Sequence, residues 1–380
     1  MTVLFWVSIA LVVYAYAGYP LALVALARVR NRAVARAAIT PSVSFIITAY
    51  NEERRLREKI DNTLRQIYPG RLEIIVASDG STDATDDIAR SFGDRVRLVR
   101  AHERRGKEAA QKLAVDAASG EVLIFSDTAT ALAPGGVSSL VSNFADPTVG
   151  CVSSVDRSVD ESGRPSGEGA YVRYEMWLRE LETRASTLVG LSGSLFAARR
   201  EVCRAWAVDR QSDFSTLLNA VDLGFRGALD PHTAGYYRNL VDTRRETARK
   251  TRTVVRGIAV LARNVRMLNP FRYGLFAWQL ASHKLCRWLV PFAMIGAALG
   301  NAALLDDAAF YRLAFVTQLA FYAAALAGIW TAAPALRIPA FLVTSNAAVL
   351  VAWLRFARGE RAASWTPSER LTTLPEIGPR

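Results

Sequence analysis

Four short polar clusters stand out in this chain of 380 residues, each placed where an apolar run gives out. They are Thr48-Ala49-Tyr50-Asn51-Glu52, Ser78-Asp79-Gly80-Ser81-Thr82-Asp83, Arg105-Gly106-Lys107 and Phe125-Ser126-Asp127-Thr128. One carboxylate at a strand end is ordinary, whereas several at successive strand ends describe one site. Taken singly, Asp79-Gly80 reads equally as a turn and Asp83 as a helix cap. Gly106-Lys107 is not a P-loop, because the upstream glycine and the following Ser or Thr are missing, which argues against a nucleotide kinase or ATPase. His102, His232 and His283 are isolated, and Cys151, Cys203 and Cys286 lie far apart. No zinc site or disulfide framework follows from them, and a reducing compartment fits.

The elements that must hold these clusters can be read from periodicity. From about Pro41 to about Pro231, short β-branched runs alternate with helical patterns, the signature of a mostly parallel α/β doubly wound sheet. Strands are expected at Ser44–Thr48, Leu72–Ser78, Arg95–Val99, Glu121–Ser126, Val149–Val155 and Leu195–Ala198. Helices are expected at Glu53–Gln66, started by Asn51, and at Ala84–Phe92, capped by Ser81 or Asp83. Ligands of such sheets bind beyond the carboxyl ends of the strands, where the four clusters lie.

In order and spacing the clusters resemble the inverting family 2 glycosyltransferases. That family's GT-A domain opens with Tyr-Asn-Glu and continues with Asp-Gly-Ser-x-Asp, Gly-Lys and a metal-binding DxD. Here these read Tyr50-Asn51-Glu52, Asp79 to Asp83, Gly106-Lys107 and Asp127-Thr128-Ala129. The resemblance extends to Ser192-Gly193-Ser194, to Asp213-Phe214, and to Lys284-Leu285-Cys286-Arg287-Trp288, which is similar to the QxxRW element of membrane synthases.

The resemblance implies a nucleotide-sugar donor, expected to be a UDP-sugar, and a lipid or glycan acceptor. Tyr50, Asn51, Glu52 and Asp79 would sit at the base and ribose, and Lys107 near the donor. Asp127 would ligate Mg²⁺ or Mn²⁺, since a departing nucleoside diphosphate needs cationic stabilisation. Arg287 and Trp288 would close over the diphosphate or the acceptor mouth, with Ser192 and Gly193 on the acceptor side. Asp213 is the expected catalytic base, although it could also cap the helix expected at Phe214–Leu223. Ala129 replaces the second acid of DxD, so the cation would be shared among Asp127, phosphate oxygens and water. Ser212 and Lys284 also depart from the family pattern.

Composition points to a membrane. Hydrophobic residues make up 51% of the chain, and mean hydropathy is +0.14. The net charge of +12 gathers beside apolar segments and on one mid-chain helix rather than in a nucleic-acid motif, so no nucleic-acid partner is expected. An uncharged run ends at Ala27 and meets Arg28, Arg30 and Arg32, which reads as a span followed by a cytosolic anchor. Arg244 to Arg266 mixes basic and apolar residues as an amphipathic helix on anionic headgroups, and Phe271 to Trp288 would continue at headgroup depth.

Three further apolar stretches follow, Leu289–Leu305, Leu313–Trp330 and Ile338–Leu354. Three spans would put Arg355–Arg361 outside, so either one stretch is re-entrant or interfacial, or the positive-inside rule fails there. The expected organisation is an anchor over 1–29, a GT-A catalytic domain over 41–240, interfacial helices over 241–288, a membrane region over 289–355 and a tail over 356–380. The expected setting is the cell inner membrane, multi-pass, with the catalytic domain cytosolic. Turn formers between Asp160 and Gly169 mark a loop that could gate the site. Three functions remain open: polysaccharide or cell-envelope glycan synthesis, transfer of one sugar to a membrane lipid, and a degenerate scaffold.

Overall fold

A computed structural model describes residues 1–159, 170–238, 243–331, 333–360 and 374. The loop expected to gate the site, at 160–169, and nearly all of the tail lie outside the described residues. The chain divides into two compact units, Met1–Ala25 with Asp242–Arg361, and Leu26–Val241 with Ala362–Arg380.

Helix α1 (Thr2–Arg30) precedes β1 (Val43–Ala49), α2 (Leu56–Leu64), β2 (Leu72–Ser78), α3 (Thr85–Arg90) and β3 (Arg97–Arg100). Then come α4 (Lys107–Ala117), β4 (Val122–Asp127), α5 (Gly136–Ser142), β5 (Val149–Val159), α6 (Ala170–Ala185) and β6 (Leu195–Arg199). The series closes with α7 (Ser212–Asp222), β7 (Arg226–Arg238), α8 (Thr243–Arg263), α9 (Leu275–Ala302), α10 (Ala309–Trp330) and α11 (Arg337–Ala357).

The seven strands form one mixed sheet in the order β3-β2-β1-β4-β6-β5-β7. The first four run parallel, β6 is antiparallel to both of its neighbours, and β5 and β7 are parallel. Both faces are covered, so the central strands are mostly apolar and β1 is buried along its whole length. Alternation still sorts the side chains. Phe45, Ile47, Val76 and Ile124 pack under α2, α3 and α5, whereas Ile46, Ile75, Leu123 and Phe125 face α4, α7 and Trp206. Phe125 stacks on Phe196 at 4.8 Å and on Trp206 at 4.7 Å.

The turn into β4 crosses the start of β1 so closely that a Cβ on Gly120 would sit 2.4 Å from the Ser44 nitrogen. Strand β7, at the edge of the sheet, carries a Pro, which is tolerated on edge strands and at bulges. The ladder yields there: the β5 residues Ser154 and Val155 pair with Asp230 and Ala234, so Pro231 bulges outward.

In the other unit, α1, α9, α10 and α11 are each long and apolar enough to cross a membrane. Helices α1 and α9 each contain one wide π-helical segment, Tyr14–Gly18 and Ala281–Cys286. The two segments are bonded to each other, since the Tyr14 hydroxyl lies 2.7 Å from Ser282 Oγ and accepts from Trp278 Nε1 at 2.9 Å.

Candidate active site

Strand register gathers the clusters. Parallel pairing sets Ala49 beside Ser78 and Thr48 beside Asp127, so three of the four polar clusters leave the sheet along one edge. Because β6 runs the other way, its first residue, Leu195, pairs with Ser126. The amino end of β6 therefore meets the carboxyl end of β4, and the Asp127 N–H donates to the Ser194 carbonyl at 2.9 Å.

The loops after β1 and β2 are knitted together by short polar side chains. Asn51 adopts φ +51°, a left-handed conformation that Asn tolerates better than most residues, and its Oδ1 accepts the Thr82 N–H at 2.9 Å. Asn51 does not start α2, which begins only at Leu56. Asp83 bridges both loops, accepting the Glu53 N–H at 3.1 Å and the Thr85 N–H at 3.0 Å. The helix N-cap is Ala84, so neither expected cap occupies that position: Asp83 instead braces the Thr85 N–H from one residue before it, and the Ser81 hydroxyl accepts from Asn51 N–H. Glu52 is buried against Arg55, with 2.7 Å between the charged groups. Burial pushes the Glu52 carboxyl up to about 7 against the opposing pull of that guanidinium.

Asp79 is fully buried and accepts the N–H groups of Arg105 at 2.8 Å and Gly106 at 2.9 Å. Burial raises its pKa while these two donors pull the other way. Asp79 thereby shapes the turn that launches α4, with Gly106 at φ +100°. Gly80, at φ +66°, is needed for a close approach, since a Cβ there would lie 3.0 Å from the backbone of Glu103 and Arg104. The Arg104 guanidinium covers the Tyr50 ring at 3.9 Å, which fixes the same turn from the other side.

At the centre, Lys107 Nζ lies 2.5 Å from Asp127 Oδ1 and donates to the Gly193 carbonyl at 2.9 Å. A Cβ on Gly193 would be 3.4 Å from Asp213 Oδ2, so Asp213 adjoins the same point. Asp213 lies in the first turn of α7, one residue inside it, and its Oδ2 accepts from Gln211 Nε2 at 3.0 Å. Lys107, Asp127, Gly193 and Asp213 are thus brought together from α4, β4, the turn before β6 and α7.

Two residues that sequence reasoning passed over support this centre. Asp156 on β5 accepts from the hydroxyls of Ser192 at 2.7 Å and Ser194 at 2.6 Å, and so sets the turn that carries Gly193. Lys59, on the apolar face of α2, is fully buried and donates to the Thr130 carbonyl at 2.6 Å, beneath the turn that follows Asp127. Burial drives its ammonium down to about 7, while the Asp127 charge acts in the opposite direction. An acid inside a β-branched run was the available signal for Asp156. Lys59 left no signal, because a lysine between apolar helix positions ordinarily snorkels.

Arg287 and Trp288 belong to the helical unit. Their helix, α9, is continuous from Leu275, so the segment expected to lie at headgroup depth is part of an apolar helix long enough to span. Arg287 Nη1 lies 3.3 Å from His283 Nε2, and its guanidinium sits 5.8 Å from the centre of the Tyr16 ring. The Trp288 ring packs on Gly257 of α8, and its carbonyl accepts from Trp353 Nε1 at 2.9 Å.

Among the described residues no group of three His, Cys, Asp or Glu side chains is placed to hold a metal. The donor set still fits a hard cation. Asp127 is partly exposed, with Lys107 at one oxygen, so it offers one carboxylate to an ion that takes its remaining ligands from phosphate and water.

Residues 44–206 match the model of glycosyl transferase family 2. An N-acetylglucosaminyltransferase of a Rhizobium species is 30% identical over 58% of this chain and 48% of its own length. One from Bradyrhizobium elkanii is 33% identical over 30% of this chain and 64% of its own length. The chain thus spans less than two thirds of these curated relatives. Among solved structures, the mannosyltransferase PcManGT from Pyrobaculum calidifontis, in complex with GDP-Man and Mn²⁺, aligns with a TM-score of 0.74 at 24% identity. That alignment covers 94% of this chain and 99% of the other, so the two share their fold through the helices as well as the sheet.

Proposed function

We propose that this protein is an integral-membrane, inverting glycosyltransferase that moves a sugar from a nucleotide-sugar, with a UDP-sugar the expected donor, to a membrane-associated acceptor. The observation that carries this reading is the convergence of Lys107, Asp127, Gly193 and Asp213 at one edge of the sheet. The setting that fits is the inner membrane, with the catalytic unit cytosolic and the product an exopolysaccharide or cell-envelope glycan.

Inversion requires the acceptor oxygen to attack the anomeric carbon from the face opposite the diphosphate. The acceptor hydroxyl gives its proton to the Asp213 carboxylate as the new C–O bond forms. The anomeric C–O bond to phosphate breaks, and its electron pair leaves with the nucleoside diphosphate. Gln211 orients the Asp213 carboxylate, which lies buried where the acceptor hydroxyl would approach. Lys107 provides a positive charge where the leaving group gathers negative charge. Asp127 would hold Mg²⁺ or Mn²⁺, which supplies Lewis-acid neutralisation of the diphosphate when bound. Asn51, Glu52 and Tyr50 border the space assigned to base and ribose, while Asp79 holds the Arg105–Lys107 turn in place. Ser192 and Gly193 would border the acceptor, and Arg287 and Trp288 are proposed to complete the donor or acceptor wall. PcManGT, in complex with GDP-Man and Mn²⁺, supports both the donor class and the cation, and it brings GDP-mannose into the donor panel.

The test is nucleoside diphosphate release in lipid nanodiscs, with UDP-sugars, GDP-mannose and Mg²⁺ or Mn²⁺, and with any product sized. Asp213→Asn should reduce turnover by about 100- to 10,000-fold, the usual worth of a general base, with donor binding retained. Asp127→Asn should raise the cation concentration needed for half-maximal rate. Surviving turnover in Asp213→Asn would remove that residue as base, and no turnover with any donor and a membrane lipid extract would overturn the transferase reading. A ladder of products separates glycan synthesis from single transfer to a lipid.

A further inference from the structure

Helices α1, α9, α10 and α11 line an open-sided cavity of about 580 Å³. Its volume falls within the roughly 300–1,000 Å³ of sites that hold small molecules. Its walls are almost wholly apolar, including Phe5, Met294, Ala297 and Leu313, and all four helices are long and apolar enough to cross a membrane. A sugar chain would find few hydroxyl partners on such walls, whereas a hydrocarbon chain needs none.

Among the polar side chains in the lining, which include Tyr16, Asn301, Gln318 and Asn346, one carries a buried oxygen without a partner among the described residues. Asn346 is 3% exposed and lines the cavity midway along α11. Its Nδ2 donates to the Leu342 carbonyl at 2.8 Å and to the Tyr16 hydroxyl at 3.1 Å. The Leu342 carbonyl can only accept, so the amide cannot be turned round, and Oδ1 is left buried with no partner among the described residues. An unmatched acceptor in hydrocarbon costs about 1–3 kcal/mol, and polar groups at such depth generally mark a ligand or a pathway.

We infer that this cavity binds the hydrocarbon chain of a membrane lipid that carries a hydroxyl within the chain, with Asn346 Oδ1 as acceptor of that hydroxyl. Asn346 and Tyr16 both sit near the midpoints of their helices, far from where a headgroup would lie, so the donor must be borne by the chain itself. The ligand class is therefore a hydroxy-acyl or similar hydroxylated lipid chain. This site is separate from the sheet-edge centre and does not depend on the transferase reading.

The test places the full chain in phosphatidylcholine nanodiscs with equal amounts of mid-chain hydroxystearate and stearate, and counts each retained molecule by native mass spectrometry. Wild type should retain hydroxystearate roughly fivefold over stearate, the worth of one net hydrogen bond. Asn346→Leu should abolish that preference while stearate is still retained. Ala297→Phe, which projects a ring into the cavity, should reduce retention of both acids, and Ala314→Phe should do so from the facing helix if the first variant does not fold. Equal retention of the two acids by wild type would overturn the hydroxyl assignment. Undiminished retention in a folded cavity-filling variant would overturn the site itself.

Discussion

Lys59→Met probes the buried lysine beneath the turn after Asp127, and its effect can be worked out in advance. The ammonium titrates near 10.5 when solvated and at about 7 in its buried position. Between those values the unfolded chain holds a proton that the folded chain does not, so stability rises with pH at up to about 1.4 kcal/mol per unit. From about pH 7.5 to pH 9 this amounts to about 2 kcal/mol, or roughly 4–8 °C in a domain of this size. Methionine has similar length and nothing to titrate. The difference in unfolding midpoint, wild type minus Lys59→Met, should therefore climb by that amount across the window, measured by scanning fluorimetry in nanodiscs. At pH 6 the variant should be the more stable of the two, because wild type must then bury a charge. Two parallel curves would refute the reasoning, since a lysine that keeps its solvated pKa contributes no slope at these pH values.

Glu52→Gln should give the opposite trend in a neighbouring window. The folded state retains a proton between 4.5 and about 7 that the unfolded state releases, so the wild-type advantage should shrink as pH rises from about 5 to 7, read from the same midpoints. Asp156→Ala should leave the Ser192 and Ser194 hydroxyls without their acceptor and lower kcat/KM for the acceptor by about 10- to 100-fold, one to three kcal/mol. The donor KM should change little, and Asp156→Asn should recover part of the loss. Gly120→Ala forces a methyl against the start of β1 and should destabilise the catalytic unit by about 1–3 kcal/mol, seen as a lower midpoint with an unchanged donor KM.

The parallel strands were legible because burial on both faces leaves long apolar runs bounded by polar clusters. Residues 72–78 match in full, β1 and β4 differ from expectation by one residue at each end, and β6 by one at its carboxyl end. Elements with internal polar residues were not legible. β5 continues through Asp156 and Arg157 to Val159, and β7 was missed because Pro231 reads as a break although a bulge absorbs it. The site showed the same division. Asp79, Lys107, Asp127 and Asp213 stand out in the sequence because each lies at or beside the end of an element. Asp156 and Lys59 lie inside elements, and their importance appears only when the turns they hold are present. Helix α2 is shorter than its pattern, since Asn51 is committed to Thr82 rather than to capping.

The reversed strand β6 carries a consequence for how such a protein can diversify. Along the β3-β2-β1-β4 side, every site residue arrives at the end of a forward strand, and a change in register there would displace several at once. The turn bearing Gly193 enters from the opposite direction, tethered through Asp156 to β5, and meets Asp127 through the Ser194 carbonyl just beyond the β4–β6 ladder. The half of the sheet formed by β6, β5 and β7 can thus accept insertions, or be exchanged between related chains, while the half bearing Asp79, Lys107 and Asp127 keeps its register. Under the proposed function, a lineage built this way changes its acceptor side while its donor side is kept.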